Sequence, residues 1–184
     1  VGLTRAGNTE EAKRIFGEAM HTARSIKSIH GRDQALNHIA GELVQAGNIE
    51  QAFAVASQAR LSRAKSTRTT VGLVRALKDK AAVLARSGNT AKANQFFAKA
   101  LKAATWDKDP HIRAGALKDV GVELAKTGNV RQAELVFGRA LNTAKGIKNT
   151  QTQTKMLWEI SNELSKAGRT QPALNAARAI KDED

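Results

Sequence analysis

A glycine recurs along this chain at a nearly constant interval. It stands in Ala6-Gly7-Asn8, Ala46-Gly47-Asn48, Ser87-Gly88-Asn89, Thr127-Gly128-Asn129 and Ala167-Gly168-Arg169, with successive spacings of 40, 41, 40 and 40 residues. Self-similarity at this period marks a chain built from repeated supersecondary units, each too small to bury its own apolar surface. The fold must therefore be one in which neighbouring units cover one another.

The residues around each glycine specify the unit. Before Gly128, Leu117, Val120, Gly121 and Leu124 fall at i, i+3, i+4 and i+7, one face of a helix over 112–126. The glycine supplies the left-handed residue that ends this helix. The next residue opens a second one: Asn8 with Glu11, Asn48 with Gln51 and Asn129 with Gln132 fit the reciprocal capping box. The second helix then carries Ala133, Phe137, Ala140 and Leu141 as its buried stripe. Ala93, Phe97, Ala100 and Leu101 repeat the stripe, as do Ala12, Phe16, Ala19 and Met20. Ala52, Ala56 and Ala59, and Ala173, Ala177 and Ile180, are smaller versions of it. Connections between pairs are expected near 27–32, 61–69, 105–110 and 146–151, with Asp109-Pro110 placing an N-cap and a first-turn proline at a helix start. The predicted fold is all-α, an α-solenoid of about five tandem helix-turn-helix repeats at 1–29 (partial), 30–68, 69–109, 110–150 and 151–184.

Composition agrees. Hydrophobic residues make up 41% of the chain and aromatics only 4%, so the apolar content is mostly Ala, Leu, Val and Ile, which suit close helix packing. With Pro110 and Pro172 the only prolines, long helices can run. The absence of Cys excludes disulfides, Cys-ligated zinc and thiol catalysis. No stretch approaches the length of apolar sequence that spans a membrane. No signal peptide is visible, although the chain starts at Val1 without Met, so a leader could have preceded it. Ala179-Ile180-Lys181-Asp182 echoes Ser25-Ile26-Lys27-Ser28, which leads into another repeat, so the array is expected to be a piece of a longer protein.

The pattern resembles the tetratricopeptide repeat. Leu117, Val120-Gly121, Leu124, Gly128, Ala133, Phe137 and Ala140 occupy that family's signature places, and Leu77, Ala81, Leu84, Gly88, Ala93, Phe97 and Ala100 do so one repeat earlier. Leu36, Ile39-Ala40, Leu43, Gly47 and Ala52 match the first half of another. The period is about forty residues rather than about thirty-four, similar to the longer subclass seen in kinesin light chains. Leu replaces the usual Trp and Tyr, and the proline that closes the second helix is absent. The resemblance implies a right-handed superhelix whose first helices line a concave, ligand-binding face.

No catalytic constellation is legible. His21, His30, His38 and His111 are scattered, without an i, i+4 pair, and the glycines follow no strand. No metal site, cofactor or enzymatic activity is expected. Charge is the informative signal. The net charge is +13, and residues 51–106 hold eleven basic side chains against the single acid Asp79. Such a field favours an anionic partner, or else it is a solubilising surface.

Mapped through the resemblance, the ligand-facing places of the first helices give Arg75, Lys78 and Arg86, then Lys118 and Lys126, then Lys155, Trp158, Asn162 and Lys166, with Gln34, Asn37 and Gln45 in the preceding repeat. Helical spacing brings Arg75, Lys78 and Arg86 to one face, and Lys118 and Lys126 to one face of the next helix, so one patch is expected. The leading expectation is a protein-interaction scaffold that holds an acidic peptide or partner protein in a basic concave groove. The other reading of these positions is a solvated face where Lys is simply a good helix former. A second cluster, Arg60, Arg63, Lys65 and Arg68 among Ser62, Ser66, Thr67 and Thr69, has the chemistry to grip phosphate. It supports the alternative function, nucleic-acid backbone binding by a basic α-solenoid, and is otherwise a flexible basic loop. Aromatic interleaving for single-strand binding is nearly absent.

Overall fold

The structure, a computed structural model, describes residues 9–61 and 67–169, with side chains for 14–58 and 70–169. Among the described residues there are eight helices and no strand. They are α1 (Thr9–Ser25), α2 (Ile29–Ala46), α3 (Ile49–Leu61), α4 (Thr67–Arg86), α5 (Thr90–Ala104), α6 (Pro110–Lys126), α7 (Val130–Ala144) and α8 (Thr150–Lys166). Gly7 and Asn8, the stripe at 173–180, the side chains of Ala12 and Ala59, and the whole of the 60–68 basic cluster lie outside the described side chains.

The four described glycines of the repeat each end a helix in the left-handed region, Gly47 at φ 87°, Gly88 and Gly128 at 82° and Gly168 at 74°. The hydrogen bonding is the same each time. At Gly128 the glycine N–H donates to the Ala125 carbonyl (3.1 Å) and the Asn129 N–H to the Leu124 carbonyl (2.9 Å). At Gly168 the equivalent bonds reach Ser165 and Leu164, both at 2.9 Å. This is the Schellman closure, which satisfies carbonyls that the helix end would otherwise orphan.

The helix starts divide into two kinds. Ser28, Asp109 and Asn149 cap α2, α6 and α8 through their side chains, accepting from Gly31 (3.2 Å), His111 (2.9 Å) and Thr152 (2.9 Å) backbone N–H groups. Asp109-Pro110 is thus the start that the sequence predicts. The capping box at Asn129 does not form. Its side chain makes no cap bond and turns instead to Thr127 Oγ1 at 3.4 Å, while its carbonyl accepts from Ala133. Asn89 caps α5 through Lys92 N–H at 3.4 Å. At α7 the Schellman turn and the Asn129 carbonyl alone lead the chain into the helix.

The chain divides into two compact units, Val1–Lys80 and Ala81–Asp184, with the division inside α4. In the first, α2 packs against both α1 and α3. α4 approaches α2 so closely that a Cβ on Gly72 would fall 1.8 Å from Asn37 Oδ1. Leu36, Ala40, Leu43, Val44, Leu73 and Leu77 are buried. In the second unit, α6 packs against α5, α7 and α8, most extensively against α7. Phe97 and Phe137 are buried, as their places in the stripe require, together with Leu117, Val120, Leu124, Leu157 and Leu164. Leu101 and Leu141 are half-buried at the stripe's edge, as are Phe16, Ala19 and Met20 on α1. Gln153 Nε2 donates to the Lys145 carbonyl at 2.9 Å, tying α8 to the end of α7.

Candidate partner-binding grooves

Each unit carries an open groove, and in both it is lined by the helices that precede the repeat glycines. In the second unit the buried stripes of α6 and α8 face inward, leaving Lys118, Val122 and Lys126 at i, i+4 and i+8 on α6. Trp158, Asn162 and Lys166 stand at the same spacing on α8. With Asp119, Glu159 and Glu163 they line a groove of ≈ 580 Å³. Trp158 is 62% exposed, an unusual state for the largest apolar side chain and one suited to a contact surface.

The groove lysines have carboxylate partners. Lys118 Nζ reaches across from α6 to Glu159 Oε2 on α8 at 2.5 Å, with both side chains half-buried. Lys126 pairs with Glu123 at 3.2 Å and Lys166 with Glu163 at 2.7 Å, each within its own helix. Glu123 also lies 3.6 Å from Arg86 at the end of α4. The lining therefore holds three lysines and three carboxylates. Repulsion among the cations is offset by these neighbours.

The groove of the first unit, ≈ 610 Å³, lies along α2 and α4 and is lined by Gln34, Asn37, His38, Glu42, Gln45, Arg75 and Asp79, with Gly41, Gly72 and Ala76. Gly72 gives Asn37 the room to lie against the α4 backbone. Lys80 Nζ donates to the Gln45 carbonyl at 3.1 Å, a second tie between these helices. Here amides replace lysines, and acids outnumber Arg75.

Nine of the twelve partner-contact places read from the sequence thus line one groove or the other: Gln34, Asn37, Gln45 and Arg75 in the first unit, and Lys118, Lys126, Trp158, Asn162 and Lys166 in the second. Lys78 and Lys155 do not. Lys78 is largely buried and bonds Asp79 at 2.7 Å, so three-residue spacing from Arg75 does not bring it into the lining. Lys155 is exposed on α8 beyond the groove. Arg86 stays outside the lining, against Glu123. Arg75 and Lys78 belong to the first unit, and Arg86, Lys118 and Lys126 to the second.

Sequence reasoning missed the acids. Their signal was present: Asp79, Asp119 and Glu159 recur at 40-residue spacing, as do Glu123 and Glu163. Among the described residues no group of three or more His, Cys, Asp or Glu is placed to hold a metal, and no helix is long and apolar enough to cross a membrane.

No protein-family model matches the chain, and no curated protein matches its sequence. Among solved structures it is similar to Ton1535 from Thermococcus onnurineus NA1, at 22% identity and a TM-score of 0.52, over 98% of this chain and 51% of that one. It is also similar to BtubC (BKLC) from P. vanneervenii, at 15% identity and a TM-score of 0.43, over 98% of this chain and 74% of that one. The chain spans about half the length of Ton1535, and the likeness is one of fold.

Proposed function

We propose that this chain is a non-catalytic interaction scaffold, an α-solenoid of tetratricopeptide-like repeats that holds an acidic segment of another protein in the groove between α6 and α8. The observation that carries the reading is an exposed tryptophan in a groove whose rim lysines reach solvent. Lys126 and Lys166 have side chains 62% exposed, and each is paired to a carboxylate three residues away on its own helix. Their partners Glu123 and Glu163 are only 13% and 26% exposed, but an ammonium has three donors, so each lysine can bond a ligand carboxylate from the solvent side while keeping its own partner. Bonds to that carboxylate would be charge-assisted. Trp158 offers the apolar anchor, and Lys118–Glu159 keeps the two helices in register.

Selection of short peptides from a random displayed library against the intact chain tests this. Selected peptides should be rich in Asp and Glu with an apolar residue between. Lys126→Glu with Lys166→Glu should weaken them tenfold or more, about 1.4 kcal/mol, and Trp158→Ala should do likewise, with helix content unchanged. Peptides that bind all variants equally would place the contact elsewhere and sink the groove reading.

A further inference from the structure

A second set of lysines lies on α5, which lines neither groove. Thr90–Ala104 holds Lys92, Lys99 and Lys102 and no acid. Positions 92, 95, 99 and 102 follow one another by three, four and three residues, so Lys92, Gln95, Lys99 and Lys102 form a single stripe. It runs opposite the stripe of Ala93, Phe97, Ala100 and Ala104, which is buried in the core of the second unit. Lys92, Gln95 and Lys102 are exposed, and the rest of the exposed surface of α5 is Thr90, Ala91, Asn94 and Ala98.

That inventory selects among anionic partners. A helix that lies on a membrane needs an apolar face for the acyl chains, and the apolar face of α5 is already used for packing. A protein interface draws its energy from aromatic, Arg or large aliphatic anchors; the fully exposed residues here include nothing apolar larger than Ala, and Phe96 and Leu101 are half-buried at the flanks of the stripe. Lys with Asn, Gln and Thr is a set that contacts phosphates, and such contacts carry no sequence information. Ten residues of helix separate Lys92 from Lys102, about 15 Å at 1.5 Å per residue. At about 3.4 Å per phosphate this is the axial run of four to five phosphates on one strand of a duplex. Single strands would want exposed stacking aromatics, and the two aromatics of α5, Phe96 and Phe97, are half-buried and buried.

We propose that the outward face of α5 is a phosphate-backbone site that binds double-stranded nucleic acid without regard to sequence. It is separate from the groove in residues and in chemistry, and stands or falls independently of the peptide reading.

The test is anisotropy of a labelled, random-sequence 20-base-pair DNA duplex titrated with the intact chain at about 50 to 200 mM salt. Three lysines on three phosphates should give a log–log salt slope near about −2.7, at about 0.9 per contact. Lys92→Gln with Lys102→Gln should remove about 1.8 of that slope and weaken binding at low salt, while circular dichroism stays unchanged. Lys126→Gln with Lys166→Gln should leave both affinity and slope as they were. The proposal is overturned if the wild-type chain does not bind the duplex at about 50 mM salt, or if the α5 variant keeps the wild-type slope. It is equally overturned if the groove variant loses as much, or if phosphatidylserine vesicles bind more tightly than the duplex.

Discussion

At Gly121 the packing leaves no room for a methyl group. A Cβ there would lie 2.9 Å from Cε1 of Phe137, whose ring is itself buried. Gly121→Ala adds about 1 kcal/mol of helix propensity but forces the ring or the helix to move, at about 1–3 kcal/mol. The second effect wins, and urea denaturation should report a net loss of stability. Gly138 is the control. It lies in the interior of α7 with nothing within 4 Å of its Cβ position, so Gly138→Ala should gain about 0.5–1 kcal/mol. Phe137→Ala should cost about 3–5 kcal/mol, as for core aromatics generally; a change near zero would mean that the stripe does not pack.

The turns and caps decide where each helix stops and starts. Gly128 sits at φ 82°, where an L-residue is strained by roughly 1–2 kcal/mol, so Gly128→Ala should destabilise by about that amount. Asp109 and Asn129 make a sharper pair. The Asp109 side chain accepts from the His111 N–H at 2.9 Å, whereas the Asn129 side chain makes no cap bond. Asp109→Ala should therefore cost about 0.5–2 kcal/mol. Asn129→Ala should cost only a few tenths, because its backbone carbonyl keeps the helical bond to Ala133. Matched thermal melts of the two variants check this, and equal losses would show that α7 needs the side-chain cap after all.

For the whole molecule the governing quantity is the net charge of +13. A surplus of this size repels itself, and the repulsion reaches about 30 Å at 0.01 M salt but only about 10 Å at 0.1 M. Raising salt from about 0.02 M to about 0.2 M should raise Tm by roughly a few degrees, since the screened repulsion outweighs the weak exposed pairs such as Arg14–Glu18. A Tm that falls with salt would mean that the ion pairs, Lys118–Glu159 foremost, carry more of the stability. Far-UV circular dichroism should be that of a helical protein at every salt concentration.

The helices and their ends were legible in the sequence because they are set by neighbours a few residues apart. The left-handed turn that glycine favours, the i, i+3, i+4 stripes and the Asp109-Pro110 start are local chemistry, repeated often enough to be unmistakable. The buried state of Phe97 and Phe137 followed from the same periodicity. Site residues were legible only as places along a helix. Lys118 and Lys126 had the right place, but nothing local said that Glu159 would reach Lys118 from the next helix of its kind, 41 residues on. Lys78 looked equivalent to Lys118, yet it turns to Asp79. Asn129 looked like a cap, yet its side chain goes to Thr127. Such choices depend on which side chains approach across helices and on small differences in free energy between competing partners, so they are decided only when the chain has packed. The short-range geometry of the backbone is thus written in the sequence, while the pairing of its charges belongs to the tertiary structure.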